Sequence, residues 1–113
     1  MNRAVDIRLW AEDRNLIEGS NPAAQSLKLI EEIGEACGAI ARMPAAEATG
    51  DEHKVRDLRA KAMDGIGDAF VVLTIMAAQL NARIEDCIEL AWHEIRDRKG
   101  RMVDGVFVKE ADL

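Results

Sequence analysis

A twelve-residue segment near the middle of the chain, Ala69–Leu80, limits what the chain can fold into. It is apolar at every position except Thr74 and Gln79, so a helix through it has no polar face. A helix that is apolar all round is typical of a buried helix, and a run of this length is too short to span a bilayer. The segment therefore predicts the central helix of a bundle or a helix at an oligomer interface.

Helical periodicity and capping residues place three more helices around this segment. Asn21 followed by Pro22 is a helix start, with Asn as the N-cap and Pro at the first helical position. Pro44 disfavours continuation of that helix beyond Met43. The predicted helices are Val5–Leu16, Pro22–Met43, a third that starts between Asp51 and Val55 and ends near Leu80, and Ile84–Lys99. A loop at 18–21 and an acidic linker at 45–51 connect the first three, and Gly100 is expected to cap the fourth.

The last part of the chain has a different pattern. Asp104-Gly105 stands between β-branched residues in the segment Met102–Val108, and Asp-Gly at that place is typical of a two-residue β-hairpin. An isolated hairpin is only marginally stable, so we expect it to pack on the helices or on a partner chain. The predicted architecture is all-α, a four-helix bundle with a short C-terminal β-hairpin, in a single domain covering residues 1–113.

Charge and cysteine content narrow the class of protein. The chain carries 15 basic and 21 acidic residues, a net charge of −6, which argues against a partner that is a nucleic-acid polymer. Met1–Asn15 is charged throughout and lacks the apolar core of a signal peptide. We therefore expect a cytoplasmic protein without membrane contact. Cys37 and Cys87 fall in apolar helical patterns, which predicts two buried, reduced thiols.

Acidic residues cluster on the second and third predicted helices. The first cluster is Glu31, Glu32 and Glu35, and the second is Asp64 and Asp68. On a helical wheel the glutamates lie opposite the main apolar stripe of their own helix, which on its own indicates a solvated acidic face. That apolar stripe consists of Leu29, Ile30, Ile33, Cys37 and Ile40.

Asp68 makes a second interpretation possible. It lies on the same helical face as Asp64 and stands directly before the apolar segment, where an unpaired charge is costly. Lys61 is one possible partner. A divalent cation shared with the glutamates is another, because bundles build metal sites from carboxylates on neighbouring helices and Mg²⁺ prefers oxygen ligands.

These motifs resemble a known family. Lys28-Leu29-Ile30-Glu31-Glu32-Ile33-Gly34-Glu35, followed by Asp64-Gly65-Ile66-Gly67-Asp68, is similar to the paired acidic motifs of the MazG-like all-α nucleoside triphosphate pyrophosphohydrolases, E-E-x-x-E and E-x-x-D. The resemblance extends over nearly the whole chain and is nearest to the short, single-domain members that phages and prophages often encode. It also covers the segments 10–16, 91–100 and 103–110.

One position departs from the family pattern. The second motif usually has a metal-binding glutamate three residues before its final aspartate, and this chain has Gly65 there. Asp64 is one residue away, and one residue turns a side chain by about 100° around a helix. Asp64 is therefore not an automatic replacement, although it shares a face with Asp68. The alternative is a weakened or lost site.

The resemblance implies an activity and a ligand set. The activity is cleavage of a (deoxy)nucleoside triphosphate between the α- and β-phosphates, which gives a monophosphate and pyrophosphate. It implies Mg²⁺, with Mn²⁺ as a possible substitute, held by Glu32, Glu35 and Asp68, with Asp64 as an uncertain further ligand. Glu31 is expected to be a ligand or the base that activates water.

Five other residues are candidates for contact with the nucleotide. Lys28 lies on the carboxylate arc, but a surface lysine paired with Glu31 or Glu32 explains it equally well. Arg96 and Lys99, with Arg98, either bind the triphosphate or interact with the helix dipole. His93 faces the nucleotide or solvent, and Trp10 either stacks on a base or belongs to the core. The candidates are Lys28, Trp10, His93, Arg96 and Lys99.

Two other functions compete with the hydrolase. One is a nucleotide-binding or dimerising bundle in which Gly65 records lost chemistry, and the other is a structural module with a solvated acidic face. In each case the apolar segment Ala69–Leu80 exceeds what one small monomer needs to cover a single face. Together with the resemblance, it leads us to expect a homodimer or a homotetramer.

Overall fold

The computed structural model describes residues 2–113 and contains four helices and one β-hairpin in that range. The helices are α1 (Arg3–Asp13), α2 (Pro22–Ala48), α3 (Glu52–Gln79) and α4 (Ile84–Ile95), and the strands are β1 (Gly100–Val103) and β2 (Val106–Lys109). A single 3-10 turn, Glu110–Asp112, follows. The predicted helical architecture with a C-terminal hairpin is confirmed.

The N-cap of α2 is the one predicted from the sequence. The Asn21 side chain accepts a hydrogen bond from the Ala24 N–H, at 2.8 Å. Asn2 and Asp51 cap α1 and α3 in the same way.

Because Asn2 supplies a cap, α1 begins two residues before the predicted start at Val5. It ends at Asp13 rather than Leu16, and Asn15 then adopts a left-handed conformation, with φ 56°.

The predicted end of α2 at Met43 is wrong. The helix continues through Pro44 to Ala48, so only residues 49–51 remain of the predicted linker. A proline inside a helix removes one hydrogen bond and costs about 3 kcal/mol. Here the last turn is held by packing, since Ala46 is buried in a cluster with Leu58 and Ala62 of α3.

The predicted end of α4 at Lys99 and the predicted cap at Gly100 are also wrong. The helix ends at Ile95, and Gly100 is the first residue of β1, paired with Lys109. Ile84 is the one residue of α4 that is buried among those described. A helix of this length without tertiary packing is marginal in water, so little holds its last turns.

The hairpin prediction is confirmed. β1 and β2 are antiparallel, and Val103 pairs with Val106 across the turn. The turn residues Asp104 and Gly105 have φ values of 50° and 84°. Positive φ at both positions is the geometry of the type I′ turn, which Asp-Gly favours.

Helices α2 and α3 form the body of the molecule as an antiparallel pair. The α2 side of the contact is a row of mostly small residues at alternating steps of four and three, and the α3 side has the same spacing. On α2 the row is Glu32, Ala36, Ala39, Met43 and Ala46, and on α3 it is Val55, Leu58, Ala62, Gly65, Ala69 and Val72. Such spacing keeps one seam of each helix facing its neighbour.

The packing of this pair overturns two expectations. The larger apolar residues of α2 were expected to face the core, but Ile30 is 67% exposed and Ile40 is 49% exposed. The Ala-rich row is buried instead, since small side chains let the two backbones approach closely. Cys37 and Cys87, expected to be buried, are both free and exposed.

The second half of α3 is the most buried part of the molecule, as its sequence predicts. Ala69, Val72, Thr74, Ile75 and Ala77 are buried, although Leu73 and Leu80 are not. At this end a small cluster joins Ala77 to Ala4 of α1 and Ile84 of α4, with Phe70 packed against it. The cluster attaches both short helices to α3.

Helix α3 at its full length also meets a composition test for a membrane span. An 18-residue window within it has a mean hydropathy of 1.3, and a third of that window is buried. The run Ala69–Leu80, predicted from the sequence to be too short for a span, covers only the last part of this helix. The core helix of a helical bundle passes the same test, and one face of α3 packs along α2.

Candidate functional site

The antiparallel register of α2 and α3 brings the two acidic motifs to the same level. Ala36 lies against Gly65, so the residues one turn earlier on α2 face those one turn later on α3. Glu35, Asp64 and Asp68 line one cavity of about 400 Å³ between the helices. Three of the predicted metal ligands, which come from two helices, are therefore brought together.

Glu32 does not line this cavity, but it lies close to Asp68, whose pKa it affects. Glu32 is 7% exposed, and the Lys28 Nζ lies 3.1 Å from its Oε1. The carboxylate is therefore held by a cation one turn earlier on the same helix. The pKa of Lys28 is raised, first by its hydrogen bond to Glu32 and then by the charges of Glu31 and Glu32.

Asp68 is a carboxylate whose pKa is shifted by its surroundings. Its pKa is raised, first by the loss of hydration and then by the negative charge of Asp64. Glu32 contributes through its charge and through a hydrogen bond that favours the protonated form, whereas Lys28 acts in the opposite direction. The loss of hydration and the neighbouring carboxylates therefore both disfavour the charged form of Asp68.

Position 65 is part of the helix contact. A Cβ built on Gly65 lies 2.8 Å from the Cβ of Ala36 and 3.2 Å from its Cα. Real Cβ atoms do not approach that closely, so any larger residue requires the helices to move apart. The glutamate that the family pattern has at this position would not fit the present separation of α2 and α3.

Two basic residues also line the cavity. They are Lys61 and Arg42. Lys61 was considered from the sequence as a partner for Asp68, but Arg42 was missed. A signal for Arg42 was present, because it follows Glu35 by seven residues and so lies on the same face of α2 two turns later.

The remaining candidates lie elsewhere. Glu31 is exposed, and its Oε2 is 3.6 Å from the Lys28 Nζ. Trp10 is 44% exposed, with the Arg14 guanidinium 4.7 Å above its ring.

The candidates at the end of α4 and after it are also paired or exposed. The His93 Nε2 is 3.1 Å from Glu89, and the Arg96 Nε is 3.5 Å from Asp97. Lys99 is exposed, and none of these five side chains lines the cavity.

The carboxylates do not form a ready coordination shell. Within residues 2–113, no group of three or more His, Cys, Asp or Glu side chains is close enough together to hold a metal ion. The donors nevertheless have the chemistry that a hard divalent cation prefers, since each is a carboxylate oxygen. A cation at this cavity would require the carboxylates of Glu35, Asp64 and Asp68 to come closer together.

The chain is 42% identical over 74 residues to an uncharacterized 18.2 kDa protein in the rep-hol intergenic region of Haemophilus phage HP1 (strain HP1c1). The match covers 66% of this chain and 37% of the phage protein, so the chain spans well under two thirds of its relative. No family model matches the chain. No solved structure matches it either.

Proposed function

We propose that this chain is a MazG-like, Mg²⁺-dependent pyrophosphohydrolase that converts a (deoxy)nucleoside triphosphate into the monophosphate and pyrophosphate. The observation that carries the proposal is the cavity between α2 and α3. Glu35, Asp64 and Asp68 converge there, and the pKa of Asp68 is raised by the loss of hydration and then by the neighbouring carboxylates. Perturbed carboxylates in a cleft are typical of functional sites. The proposed substrate places the protein in the cytoplasm.

Glu32, Glu35, Asp64 and Asp68 are the proposed metal ligands. Asp64 is included because it lines the same cavity as Glu35 and Asp68 and its charge already acts on Asp68. Gly65 serves the helix contact. On this proposal the site keeps a carboxylate on each helix, although it lacks the glutamate of the family pattern.

The chemistry divides between the cation and the protein. Mg²⁺, or Mn²⁺ in its place, would neutralise the phosphate oxygens and position a water molecule when bound. Lys61 and Arg42 bring positive charge to the wall of the cavity. On this proposal they offset part of the negative charge of the triphosphate. Glu31, which is paired with Lys28 and does not line the cavity, is the proposed proton acceptor.

The reaction is a hydrolysis. The oxygen of water forms a bond to the α-phosphorus, and the bond from that phosphorus to the oxygen bridging the α- and β-phosphates breaks. The proton leaves the water for a carboxylate, and pyrophosphate departs with the bridging oxygen. Neither a redox cofactor nor a covalent intermediate is needed for this balance.

Two isosteric variants test the proposal. Glu35→Gln and Asp68→Asn keep the shape of each side chain but remove a charged oxygen, so both should abolish Mg²⁺-dependent pyrophosphate release without unfolding the protein. Glu47→Gln is a matched control, since Glu47 is an exposed carboxylate on α2 that does not line the cavity. Unchanged turnover in both cavity variants would overturn the assignment.

The absence of a ready coordination shell among residues 2–113 favours one alternative, a bundle that binds nucleotides but has lost catalysis. A ligand that binds only the native state raises its stability. On this alternative, a nucleoside triphosphate raises the melting temperature while no pyrophosphate appears with any substrate. On the hydrolase proposal, Mg²⁺ supports both stabilisation and turnover.

A further inference from the structure

The cavity between α2 and α3 has an acidic end and a basic end. On α3, Asp68 follows Lys61 by seven residues, and on α2, Arg42 follows Glu35 by the same interval. Seven residues are about two turns of a helix, so the members of each pair lie on one face, roughly 10 Å apart along the axis. Because the two helices are antiparallel, both cations lie at the end of the cavity nearer the loop 49–51. We call this the basic end.

The cations of the basic end are available to a ligand. Lys28, which lies beyond the acidic end, is already paired with Glu32 and Glu31, at 3.1 and 3.6 Å. Arg42 and Lys61 are both exposed, and neither makes an ion pair with any residue that the structure describes. An anion that enters the cavity therefore meets two cations whose charges are not neutralised by a nearby carboxylate.

The α2 wall of the cavity is bare between its two ends. Gly38 lies on the same face as Glu35 and Arg42, three residues after the first and four before the second. A Cβ built on Gly38 meets no atom within 4 Å among the described residues. The cavity has a volume of about 400 Å³, which is within the usual range for small-molecule sites. An extended ligand can therefore lie along α2 and reach from the carboxylates to the cations.

We propose that Arg42 and Lys61 bind the β- and γ-phosphates of the substrate. The pyrophosphate half of a nucleoside triphosphate then lies at the basic end, and the α-phosphate lies at the acidic end. This assignment rests on the proposed hydrolysis, and it gives the substrate a direction in the cavity. A triphosphate reaches both ends, whereas a shorter phosphate chain loses contacts with the cations, so the two residues select the triphosphate.

The same two residues face the leaving group. When the oxygen of water bonds to the α-phosphorus, the electron pair of the bond to the bridging oxygen leaves with pyrophosphate, and the proton of the water passes to a carboxylate. Negative charge therefore develops on the side of the α-phosphate that faces the basic end. Arginine and lysine placed at such a point stabilise the transition state as well as the bound substrate. Loss of Arg42 or Lys61 should accordingly raise KM and lower kcat.

Calorimetric titration with inorganic pyrophosphate in the presence of Mg²⁺ tests the assignment without relying on turnover. Arg42→Gln and Lys61→Gln should each weaken pyrophosphate binding by about tenfold or more, the effect of losing a hydrogen bond to a charged group. Lys61→Arg keeps the charge and should retain most of the affinity. Arg59→Gln is the control, because Arg59 is an exposed cation on α3 that does not line the cavity. Failure of pyrophosphate to bind the unaltered protein, or equal affinity in both glutamine variants, would overturn the assignment.

Turnover provides a second readout and separates this assignment from the proposed function. In both glutamine variants the preference for a triphosphate over the matching diphosphate, measured as the ratio of kcat/KM values, should fall by about tenfold. An unchanged preference in a protein that hydrolyses triphosphates would overturn the assignment and leave the proposed function standing. Pyrophosphate binding that depends on Arg42 and Lys61, in a protein that hydrolyses no nucleotide, would instead support the phosphate-binding role and contradict the proposed function.

Discussion

Gly65 lies against Ala36 where α3 packs on α2, and a Cβ at position 65 would stand 2.8 Å from the Ala36 Cβ. Gly67, two residues further along the same helix, provides a contrast. A Cβ built there meets no atom within 4 Å in the described part of the chain. The two glycines therefore separate the effect of helix propensity from the effect of packing.

We expect Gly65→Ala to destabilise the protein and Gly67→Ala to stabilise it. Alanine is favoured over glycine in a helix by roughly 0.5–1 kcal/mol. Gly67→Ala should raise the free energy of unfolding by about that amount. At position 65 overpacking, which typically costs about 1–3 kcal/mol, should outweigh the same gain. Urea unfolding measures both. Equal stabilisation by the two substitutions would show that the helices are not in close contact at Gly65.

Pro44 is a second position at which alanine should stabilise the protein. It lies inside α2 and is exposed, so it removes a helical hydrogen bond without supplying a core contact. Pro44→Ala should raise the free energy of unfolding by about 1–3 kcal/mol. Ala41→Gly, at an exposed helical site one turn earlier, should lower it. A less stable Pro44→Ala variant would mean that the proline sets the course of the last turn of α2.

Asp68 should make stability depend on pH. Its pKa is raised in the folded state, so its favourable contribution is present below the unfolded value of about 3.8 and is lost as the pH rises through the folded value. At neutral pH the charged form is therefore destabilising. Asp68→Asn should stabilise the metal-free protein at pH 7, and this advantage should disappear near pH 3.5.

The measurement for Asp68 is urea unfolding in EDTA at both pH values. Asp64→Asn is the companion variant, because removing the Asp64 charge should bring the pKa of Asp68 closer to its usual range. If Asp68→Asn stabilised the protein equally at both pH values, the gain in stability would not come from the raised pKa of Asp68.

The ion pair of Lys28 and Glu32 should matter for folding. Lys28→Met leaves the Glu32 side chain, 9% exposed, without the cation 3.1 Å away, so the variant should be less stable. Replacing both members by methionine should recover the loss, since an apolar pair avoids the cost of burying a lone charge. Thermal unfolding of the single and double variants checks this. A double variant no more stable than Lys28→Met would contradict it.

The sequence predicted those features that local chemistry determines. Asn21 and Pro22 mark the start of α2, Asp104-Gly105 marks the hairpin, and Ala69–Leu80 marks the buried half of α3. Local signals failed where tertiary packing outweighs them. Pro44 was expected to end α2, but the burial of Ala46 against α3 carries the helix onward.

The face of α2 that packs on α3 could not be predicted from residue size. The large residues Ile30, Ile33 and Ile40 were expected to face the core, yet the Ala36–Ala39 row does so. The convergence of Glu35, Asp64 and Asp68 did follow from helical phase and the resemblance. Arg42 and the contact of Gly65 with Ala36 depend on the register between the helices, which a single sequence does not contain.

The most direct test of the central claim is to identify the products formed by the unaltered protein. A panel of ribo- and deoxyribonucleoside triphosphates is incubated with and without Mg²⁺, and the products are resolved by chromatography. The proposed site predicts equal amounts of monophosphate and pyrophosphate from at least one substrate, only when Mg²⁺ is present. Release of orthophosphate and a diphosphate, or no turnover of any substrate, would contradict it.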